Sequence, residues 1–561
     1  MPAPPDPHGL NVHGDRALFV LTVAAFLSYA ALFIYRTSFV VGGERYFSLF
    51  DDAMVSMRYA RNIAHGWGAV WNPGGERVEG YTNPLWVLYL ALVHLLPAPQ
   101  SKVSAIVQIT GAICLAANLC YVRRVALAVS DGSRAVAFGA VVLTASYLPL
   151  NNWALQGMEV GVLALLLSIA LWQTIQGLET GRFQGRLYLL LGIGTWIRPD
   201  MAVPFVAFLV FLIVADPRHR RQHIAWGLAA LAAAGAVQTL FRLWYYGDIL
   251  PNTYYLKMTG VPFLVRIARG LYVLLECVWK ASPLLFVLAF ATALRRDNRI
   301  RLLFWIFIVQ IAYSVYVGGD AWEYWGGANR YICVAIPGFF VLLSLALHDL
   351  TRVTISAARG PLAPHRPTPR WAPVAAFALV IGYAVVSMNS IYGVGALAEA
   401  LLIRPPLHTG SGGENQQDVE QAMWLRRATA PDATLAVVRA GTIPYFADRR
   451  SIDLLGKNDR HVAHGAARSF SGLSGFRDFR PGHMKSDFTY SIGALQPDVI
   501  VQLRQRTSEA EPFLRGLYRG VSVDGDCVHV RRGSSHVLWD RIPSEACGPA
   551  GGGATRDERT P

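Results

Sequence analysis

Two adjacent carboxylates, Asp51 and Asp52, begin the stretch of the sequence that is richest in chemically competent side chains. A helix-like run follows them and places Arg58 and Arg61 on one face. The carboxylates can act as a general acid or base or bind a cation, while the two guanidinium groups can bind an anion. A reaction that expels a phosphate needs both capacities side by side. The alternative is that the acidic pair only caps the helix beginning at Ala53, as Asp often does at a helix amino terminus.

Seven further charged residues fall at the ends of apolar runs or in the short segments between them. They are Glu159, Arg198, Asp200, Lys257, Asp320, Glu323 and Arg330. Charges at such places are costly in a membrane and usually mark a site. A snorkelling side chain or a solvated loop charge explains any one of them equally well, but seven at one level favour a shared site. Arg198 and Arg330 are expected to bind a phosphate, because an unpaired cation at the end of a span is costly.

The composition requires a membrane. Of the 561 residues, 53% are hydrophobic and 16% are charged, and the mean hydropathy of +0.33 is too high for an ordinary soluble protein of this size. The formal net charge of +14 could suggest nucleic-acid binding, but the basic residues lie in short clusters between apolar runs and not along one face. We therefore predict a polytopic α-helical membrane protein with no nucleic-acid partner.

Eleven apolar runs are candidates to cross the bilayer as helices. They are Ala17–Tyr35, Val103–Val122, Ala135–Leu150, Val160–Gln176, Leu187–Ile197, Ala202–Ala215, Ile224–Tyr245, Leu271–Leu294, Leu302–Val317, Tyr331–Leu347 and Pro373–Val394. Asn83–Pro97 is apolar but only 15 residues long, so we place it on the outer surface as a juxtamembrane helix. The two short runs near residue 200 are counted separately because Arg198-Pro199-Asp200 divides them.

The basic residues set the orientation of these spans. With eleven spans, the loops on the amino-terminal side carry 17 basic residues, and the short loops opposite carry five. The positive-inside rule then gives a protein of the cell (inner) membrane with a cytoplasmic tail, residues 1–16, and a membrane domain, residues 17–394. The first loop, residues 36–102, and the chain after residue 394 lie on the outer side.

The polar stretch after the last span is typical of a soluble domain, because short β-like runs alternate with turn residues. These runs are Thr434–Val438, Asp498–Gln502 and Cys527–Val530. With a helix predicted near Val419–Arg427, they indicate a small extracytoplasmic α/β domain over residues 395–547, followed by a disordered tail, residues 548–561. Cys527 and Cys547 either pair as a disulfide in an oxidising compartment or remain two thiols.

The order of these features resembles the GT-C superfamily of lipid-phosphosugar-dependent glycosyltransferases. The shared order is a single span, an outer loop opening with an acidic pair, an arginine-bearing helix, a juxtamembrane segment beginning Asn83-Pro84-Leu85-Trp86 and a carboxy-terminal outer domain. More narrowly, one run of the first loop is similar to the mycobacterial terminal arabinofuranosyltransferases that use decaprenyl-phosphoarabinose. That run is Asp51-Asp52 … Arg58 … Asn62 … Gly66-Trp67-Gly68 … Asn72 … Gly75-Glu76-Arg77-Val78-Glu79 … Thr82. The resemblance covers residues 15–395 and, more loosely, the tail.

The resemblance implies that Asp51 is the catalytic base and Asp52 its partner. The amino end of the following helix and Arg58 are expected to keep Asp51 ionised. The substrate-binding residues expected around this pair are Arg58, Arg61, Glu76, Arg77, Glu79, Glu159, Arg198, Asp200, Lys257, Asp320 and Arg330. The implied reaction moves a sugar, with inversion, from a polyprenyl-phosphate donor to a cell-envelope glycan or lipid. Neither the sugar nor the acceptor is specified by these residues.

No cofactor is expected, since the sequence contains no usable GxGxxG or Walker-type phosphate-binding motif. Paired carboxylates also suit Mg²⁺ or Mn²⁺, so a divalent cation at Asp51 and Asp52 stays an open alternative. The main alternative function is a polytopic transporter or lipid-linked sugar flippase, which also needs charged groups in a membrane cavity. That class predicts interrupted hydrophobic segments at matching positions in two halves, whereas one such pair, around Pro199, is visible.

Overall fold

A computed structural model of the chain describes residues 12–323, 329–359, 371–390, 412–470, 472–503 and 507–547. The predicted disordered tail, residues 548–561, lies outside the described residues, as does most of the predicted cytoplasmic tail. The described residues up to 390 are mainly helical, and those from 434 onward include a five-stranded sheet.

The membrane part is helical because apolar runs in lipid must satisfy their backbone hydrogen bonds within the segment. In chain order, its helices are α1 (Val12–Arg36), α2 (Asp51–Ala64), α3 (Pro84–His94), α4 (Gln100–Val129), α5 (Arg134–Ala145), α6 (Leu148–Leu155), α7 (Val160–Thr180), α8 (Gly185–Ile197), α9 (Ala202–Ala215), α10 (Arg220–Tyr246), α11 (Asn252–Met258), α12 (Phe263–Ala281), α13 (Pro283–Ala291), α14 (Asn298–Val317), α15 (Arg330–Cys333), α16 (Ile336–Arg359) and α17 (Trp371–Asn389). α4, α5, α7 and α16 pack on one another at the centre.

Each run predicted as a span overlaps at least one described helix. The helices α1, α4, α7, α10, α14, α16 and α17 are each long and apolar enough to cross a membrane. Two bent pairs, α5–α6 and α12–α13, bring the number to nine if each pair is one span. Two of the three shorter apolar helices, α8 and α9, flank the break that the sequence predicts at Pro199. The chain is therefore a multi-pass membrane protein, and the count of eleven spans stays a prediction.

Two predicted spans are not straight helices. The run predicted as Leu271–Leu294 begins earlier, at Phe263, and turns by 95° between α12 and α13. Ser282 stands at this turn with a φ of +98°, and Pro283 follows it. Proline has no N–H with which to continue a helix, and it disfavours helical geometry in the residue before it. A bend of 53° likewise divides the predicted run Ala135–Leu150 between α5 and α6.

The first predicted outer loop is a folded layer. It contains an antiparallel hairpin of β1 (Phe39–Val41) and β2 (Glu44–Tyr46), followed by α2 and α3. Gly42 and Gly43 form the hairpin turn at φ +58° and +84°, values that glycine adopts without strain. α3 falls within the juxtamembrane helix predicted for Asn83–Pro97, and it packs against α2 and α4.

The carboxy-terminal part is built on a mixed sheet flanked by helices. Its strands are β3 (Thr434–Val437), β4 (Arg450–Asp453), β5 (Val499–Ile500), β6 (Tyr518–Val523) and β7 (Asp526–Arg531), and its helices are α18 (Gly412–Ala428), α19 (Thr442–Ala447), α20 (Arg460–His464) and α21 (Thr507–Leu517). The spatial strand order is β4-β3-β5-β7-β6. β3 is parallel to β4 and β5, whereas β7 is antiparallel to β5 and β6.

Three of these strands and one helix were predicted from the sequence. The predicted strands coincide with β3, β5 and β7, and the predicted helix lies within α18. β4 and β6 were missed, because β4 begins and ends with a charged residue and Gly520 interrupts the β6 pattern. Cys527 and Cys547 form a disulfide, the first of the two alternatives. Such bonds persist in oxidising compartments, which agrees with the predicted outer location of this region.

The first loop lies between the membrane helices and the sheet. α2 contacts α19, and β1 contacts α18. The buried apolar core runs from the membrane helices through α2 into the sheet, and it includes Phe339, Met57 and Val437. The two parts of the chain therefore meet at the amino end of α2, where the acidic pair stands.

The predicted orientation can be tested with three exposed positions, Pro73, Ser508 and Arg296. Single cysteines are placed there in a background whose four free cysteines are replaced by alanine. We expect a membrane-impermeant maleimide to label Pro73→Cys and Ser508→Cys in intact cells, and Arg296→Cys only after permeabilisation, because the Arg-rich loops face the cytoplasm. Labelling of Arg296→Cys alone in intact cells would invert the predicted topology.

Candidate active site

A cleft opens where the amino end of α2, the segment between α14 and α15, and the carboxy-terminal sheet converge. The space within it, including solvent at its open mouth, is about 1290 Å³. Five residues predicted for the site line it: Asp51, Asp52, Lys257, Asp320 and Arg330. The predicted residues Arg58, Arg61, Glu76, Arg77, Glu79, Glu159, Arg198 and Asp200 are not among the residues that line it. The tertiary structure thus brings together acidic and basic side chains from three distant stretches of the chain.

Asp51 is the first residue of α2, and the carboxy-terminal part of the chain holds its side chain. Its Oδ1 accepts hydrogen bonds from the backbone N–H groups of Gly441, at 3.1 Å, and Thr442, at 2.9 Å. Among the described residues, its Oδ2 has no hydrogen-bond partner. The N-cap residue of α2 is Phe50, which makes no side-chain capping bond. Capping alone therefore does not explain the acidic pair, since Asp51 binds N–H groups of a different element.

The pKa of Asp51 is raised to about 6. Burial is the main cause and the negative charge of Asp418 adds to it, while the N–H of Thr442 and the charge of Arg439 act in the opposite direction. The sequence suggested that the helix end and Arg58 would favour the ionised form. The groups that lower the pKa are instead Thr442 and Arg439, and burial outweighs them. At neutral pH the carboxyl group is still mostly ionised, and a pKa near the operating pH suits a general base.

Asp52 is adjacent to Asp51 in sequence, but its side chain faces two cations. Its Oδ1 accepts a hydrogen bond from Lys457 Nζ at 2.7 Å, and its Oδ2 accepts one from Arg330 Nη1 at 2.9 Å. Burial raises the pKa of Asp52, but the charges of Lys457 and Arg330 outweigh burial and hold the pKa far below its usual range. Asp52 is therefore a permanent carboxylate that fixes two cations.

Arg330 was predicted to bind a phosphate that would pair with its charge, but its guanidinium already pairs with two carboxylates. Its Nε and Nη2 donate to the two oxygens of Asp320 at 2.7 and 2.9 Å, in addition to the contact with Asp52. Its guanidinium also lies over the ring of Trp153, 5.0 Å from the centroid. These contacts orient Arg330 rigidly at the wall of the cleft.

Lys257, on α11, has no carboxylate partner among the described residues, although it lines the cleft. Burial lowers the pKa of Lys257 to about 8, with the nearby charges of Arg330 and Lys457 acting in the same direction and those of Asp52 and Asp320 opposing them. A buried ammonium group without a carboxylate partner is stabilised by an anionic ligand, because the ligand replaces the water that burial has removed.

Arg58 lies behind the cleft and is 1% exposed. Its guanidinium donates to the backbone carbonyl oxygens of Trp71 at 2.6 Å, Pro444 at 2.5 Å and Arg449 at 2.8 Å. Two of these carbonyls belong to the carboxy-terminal part. The contacts therefore indicate that Arg58 docks α2 on that part, in place of the predicted substrate binding.

Arg61 has a similar role further along α2. It donates to the Tyr445 carbonyl oxygen at 2.8 Å and to the Asp448 carboxylate at 2.9 Å. Both partners belong to the carboxy-terminal part, so these contacts also indicate docking in place of the predicted substrate binding.

Glu159, Arg198 and Asp200 form a buried cluster next to the cleft. Arg198 donates to Asp200 at 2.5 Å and to Glu159 at 3.3 Å, so two carboxylates already pair with the guanidinium that the sequence predicted to bind a phosphate. Glu159 also accepts a hydrogen bond from the Asn83 side chain at 2.9 Å. The Arg198 guanidinium lies over the ring of Tyr331, 5.0 Å from the centroid, and Tyr331 lines the cleft. The cluster thus supports the cleft wall from behind.

The three charged residues of the Gly75–Glu79 run are also outside the cleft. Glu79 is buried and accepts a hydrogen bond from Arg242 of α10 at 2.7 Å. Glu76 is largely exposed, and Arg77 lies over the ring of Tyr245 at 4.6 Å. Their predicted role in substrate binding stays a prediction without a contact to the cleft.

Sequence reasoning missed the charged residues that the carboxy-terminal part contributes to the cleft. They are Glu414, Asp418, Arg439, Asp453, Lys457 and Arg480. The rarity of lysine could have pointed to Lys457. The chain has only five lysines among its 51 basic residues, and two of them, Lys257 and Lys457, line the cleft. The others stand in segments without a motif, and only the fold brings them to the acidic pair.

The acidic pair offers a metal ion few ligand atoms. Both oxygens of Asp52 and one oxygen of Asp51 already accept hydrogen bonds. Within the portion of the chain that the structure describes, there is no group of three or more His, Cys, Asp or Glu residues arranged to hold a metal. Independence from a divalent cation stays a prediction.

Arg58→Lys tests whether Arg58 docks or binds substrate. Lysine keeps the charge but lacks the planar fork, so buried carbonyls lose their donors at about 1–3 kcal/mol each. We expect a clearly lower thermal unfolding temperature in detergent, while the conservative change of the exposed Arg77→Lys has little effect. Unaltered thermal stability of Arg58→Lys, together with weaker substrate binding, would restore the predicted substrate contact.

Comparison with known proteins supports the resemblance deduced from the first loop. A family model described as a domain of unknown function, DUF8728, matches residues 407–538. Terminal β-(1→2)-arabinofuranosyltransferases of Mycobacterium tuberculosis and Corynebacterium glutamicum are each 27% identical, over 216 and 322 residues. These alignments cover 36% and 48% of this chain and 34% and 44% of the relatives. The chain thus matches less than half of the length of these curated relatives.

Solved structures establish the fold. ArnT from Cupriavidus metallidurans bound to undecaprenyl phosphate is 13% identical, with a TM-score of 0.54, and the match covers 92% of this chain and 98% of ArnT. The oligosaccharyltransferase of Archaeoglobus fulgidus is 12% identical, with a TM-score of 0.55, over 94% of this chain and 76% of that one. The chain therefore has the fold of the GT-C glycosyltransferases, and in sequence it is similar to terminal arabinofuranosyltransferases.

Proposed function

We propose that the chain is a membrane glycosyltransferase that moves a sugar from a polyprenyl-phosphate donor to a cell-envelope glycan or lipid, with Asp51 as the general base. One observation carries this proposal: a carboxylate with a raised pKa and an unengaged oxygen shares a cleft with several cations. The similarity to arabinofuranosyltransferases and the fold shared with a protein bound to undecaprenyl phosphate agree with it.

In the proposed reaction, an acceptor hydroxyl oxygen attacks the anomeric carbon of the donor sugar. Its proton passes to Asp51 Oδ2 as the new bond forms. The bond between the anomeric carbon and the phosphate oxygen breaks, and its electron pair stays on the departing polyprenyl phosphate. Attack opposite the leaving phosphate inverts the anomeric centre.

The cations of the cleft suit the departing phosphate. Lys257 has no carboxylate partner among the described residues, and Lys457 and Arg330 are fixed beside it by Asp52. Positive groups held in a water-poor cleft stabilise charge that develops on a leaving group more strongly than in water. This chemistry needs no divalent cation, since the lysine and arginine side chains can supply the charge compensation.

A flippase or transporter would move its lipid substrate without breaking a glycosidic bond. The raised pKa of Asp51 is of use to a base but not required for transport. Transfer of radiolabelled sugar from a polyprenyl-phosphate donor to acceptor by the purified protein in detergent, where no second compartment exists, separates the two functions. Movement of donor across vesicles without any transfer would favour the alternative.

Asp51→Asn is the direct test of the base. Asparagine keeps the shape and can still accept a hydrogen bond from the Gly441 and Thr442 amides, but it cannot take the proton. We expect normal insertion and purification with activity lower by about 10²–10⁴-fold, the usual contribution of a general base. The Asp52→Asn variant should have lower activity because it binds the polyprenyl-phosphate substrate more weakly, since Asp52 positions Lys457 and Arg330.

Asp524→Asn is the matched control for this change. Asp524 is exposed in the turn between β6 and β7 at φ +52°, a conformation that asparagine also tolerates. Its activity should equal that of the unmodified protein. Near-normal turnover of Asp51→Asn would remove Asp51 from the reaction.

The pH profile gives a second test of the proposed base. A base must be deprotonated, so kcat/KM should fall as the pH drops through about 6, the pKa of Asp51. Asp51→Asn should lose this acid limb from its residual activity. An acid limb that persists unchanged in Asp51→Asn would assign it to another group.

Lys257→Ala tests the donor-phosphate site. Loss of a hydrogen bond to a charged group costs about 1.5–3 kcal/mol, so the donor KM should rise by about 10- to 100-fold. In the unmodified protein, the donor KM should also rise above about pH 8, because Lys257 loses its proton there, and Lys257→Arg should abolish that rise. Lys280→Ala, at an exposed pair with Glu276, is the control. An unchanged donor KM in Lys257→Ala would exclude Lys257 from the phosphate site.

A further inference from the structure

Residues 440–445 of the carboxy-terminal part lie across the amino end of α2, and we call this segment the strap. It consists of the two residues before α19 and the first four residues of that helix. The backbone carbonyl oxygens of this strap are held by side chains of the membrane part. Trp71 Nε1 donates to the Ala440 carbonyl at 3.1 Å, and Arg58 donates to the Pro444 carbonyl at 2.5 Å. Gln100 donates to the Tyr445 carbonyl at 2.7 Å, beside the bond from Arg61.

The entry to the strap is fixed from the opposite side. Arg439 donates through its guanidinium to Asp418 at 3.0 Å and Glu414 at 2.6 Å, and both carboxylates stand on α18. The backbone N–H of Arg439 donates to the Gln502 side chain at 3.0 Å. The strap is therefore anchored by charged and polar groups at both ends, and its amides have a defined direction.

Two backbone N–H groups of the strap point toward the Asp51 carboxylate. The N–H groups of Gly441 and Thr442 converge on Oδ1 of this carboxylate, so Oδ2 is the oxygen left for a substrate hydroxyl. The approach requires glycine. A Cβ at residue 441 would overlap the backbone oxygen of Asp51 and lie 2.7 Å from its Oδ1, and the helix backbone cannot move aside.

We propose that residues 440–445, inside the region matched by the domain of unknown function, are a positioning element of the catalytic site that fixes the Asp51 carboxylate through the Gly441 and Thr442 amides. This inference rests on the proposed function of Asp51. It gives the matched region a role in the chemistry: the membrane part supplies the base, and the carboxy-terminal part holds it in the orientation that exposes Oδ2.

The strap also acts on the charge of Asp51. An N–H group that donates to a carboxylate favours its ionised form, and the Thr442 N–H partly offsets the effect of burial on the pKa of Asp51. Loss of the strap should therefore do two things at once: misplace the base and raise its pKa. A purely structural role of the strap would lower the amount of folded protein without moving the pH profile of what remains.

Gly441→Ala is the first test, with Gly516→Ala as its control. Residue 516 lies near the end of α21, where an added methyl group would meet open space, so alanine should be neutral there. For Gly441→Ala, we expect kcat to fall by about 10- to 100-fold, because a misplaced catalytic group costs about that much. The donor KM should change less than about twofold, and the acid limb of kcat/KM should move above pH 6.

Trp71→Phe covers the case in which Gly441→Ala fails to fold. It removes the hydrogen bond to the Ala440 carbonyl but leaves the strap sequence and an aromatic ring in place. We expect a smaller loss of kcat with the same upward shift of the acid limb, while the exposed Trp67→Phe keeps the original profile. An unshifted acid limb in Trp71→Phe, or in folded Gly441→Ala, would overturn the proposed role of the strap.

The outcomes also separate this inference from the proposed function. If Asp51→Asn is inactive while both strap variants keep a normal kcat and acid limb, the base stands and the positioning role falls. If Asp51→Asn retains normal turnover, the proposed function falls and the positioning role falls with it.

Discussion

The buried guanidinium of Arg58 binds backbone carbonyl groups on both sides of the junction between the membrane part and the carboxy-terminal sheet. A cation removed from water costs several kcal/mol unless hydrogen bonds replace its hydration. Here the cost is offset only when α2, the first loop and the carboxy-terminal part come together. The same docking brings the Gly441 amide to Asp51 and Lys457 to Asp52. The cleft therefore exists only in the assembled chain.

Two neighbouring carboxylates acquire different properties inside this cleft. Asp52 faces Lys457 and Arg330, and its pKa lies far below the usual range, whereas Asp51 faces backbone amides and the negative Asp418, and its pKa rises to about 6. Such a separation of pKa values within a pair is the ordinary way in which a site divides chemical roles. One carboxylate is suited to exchange a proton, and the other keeps its charge and orders the cations.

Local patterns predicted a large share of the fold. Hydropathy alone located helices in all eleven apolar runs, because a membrane helix needs a run of apolar residues and no distant partner. The hydropathy pattern did not predict the 95° turn at Ser282, which stands between two apolar stretches of one run. Of the site, the acidic pair, Lys257, Asp320 and Arg330 were predicted to line one face, and they do line one cleft. Arg198 was predicted to bind a phosphate, but its guanidinium is paired with Asp200 and Glu159.

The sequence by itself thus determined the membrane character, the helices and the acidic pair, since each follows from residues close together in the chain. The partners of that pair were decided by the tertiary structure. Lys457 lies 405 residues from Asp52, and Gly441 lies 390 residues from Asp51. No periodicity or motif links positions so far apart, because their interaction depends on the docking of two separately patterned parts. The sequence also could not separate the roles of Asp51 and Asp52, since both are aspartates at a helix end and only their surroundings differ.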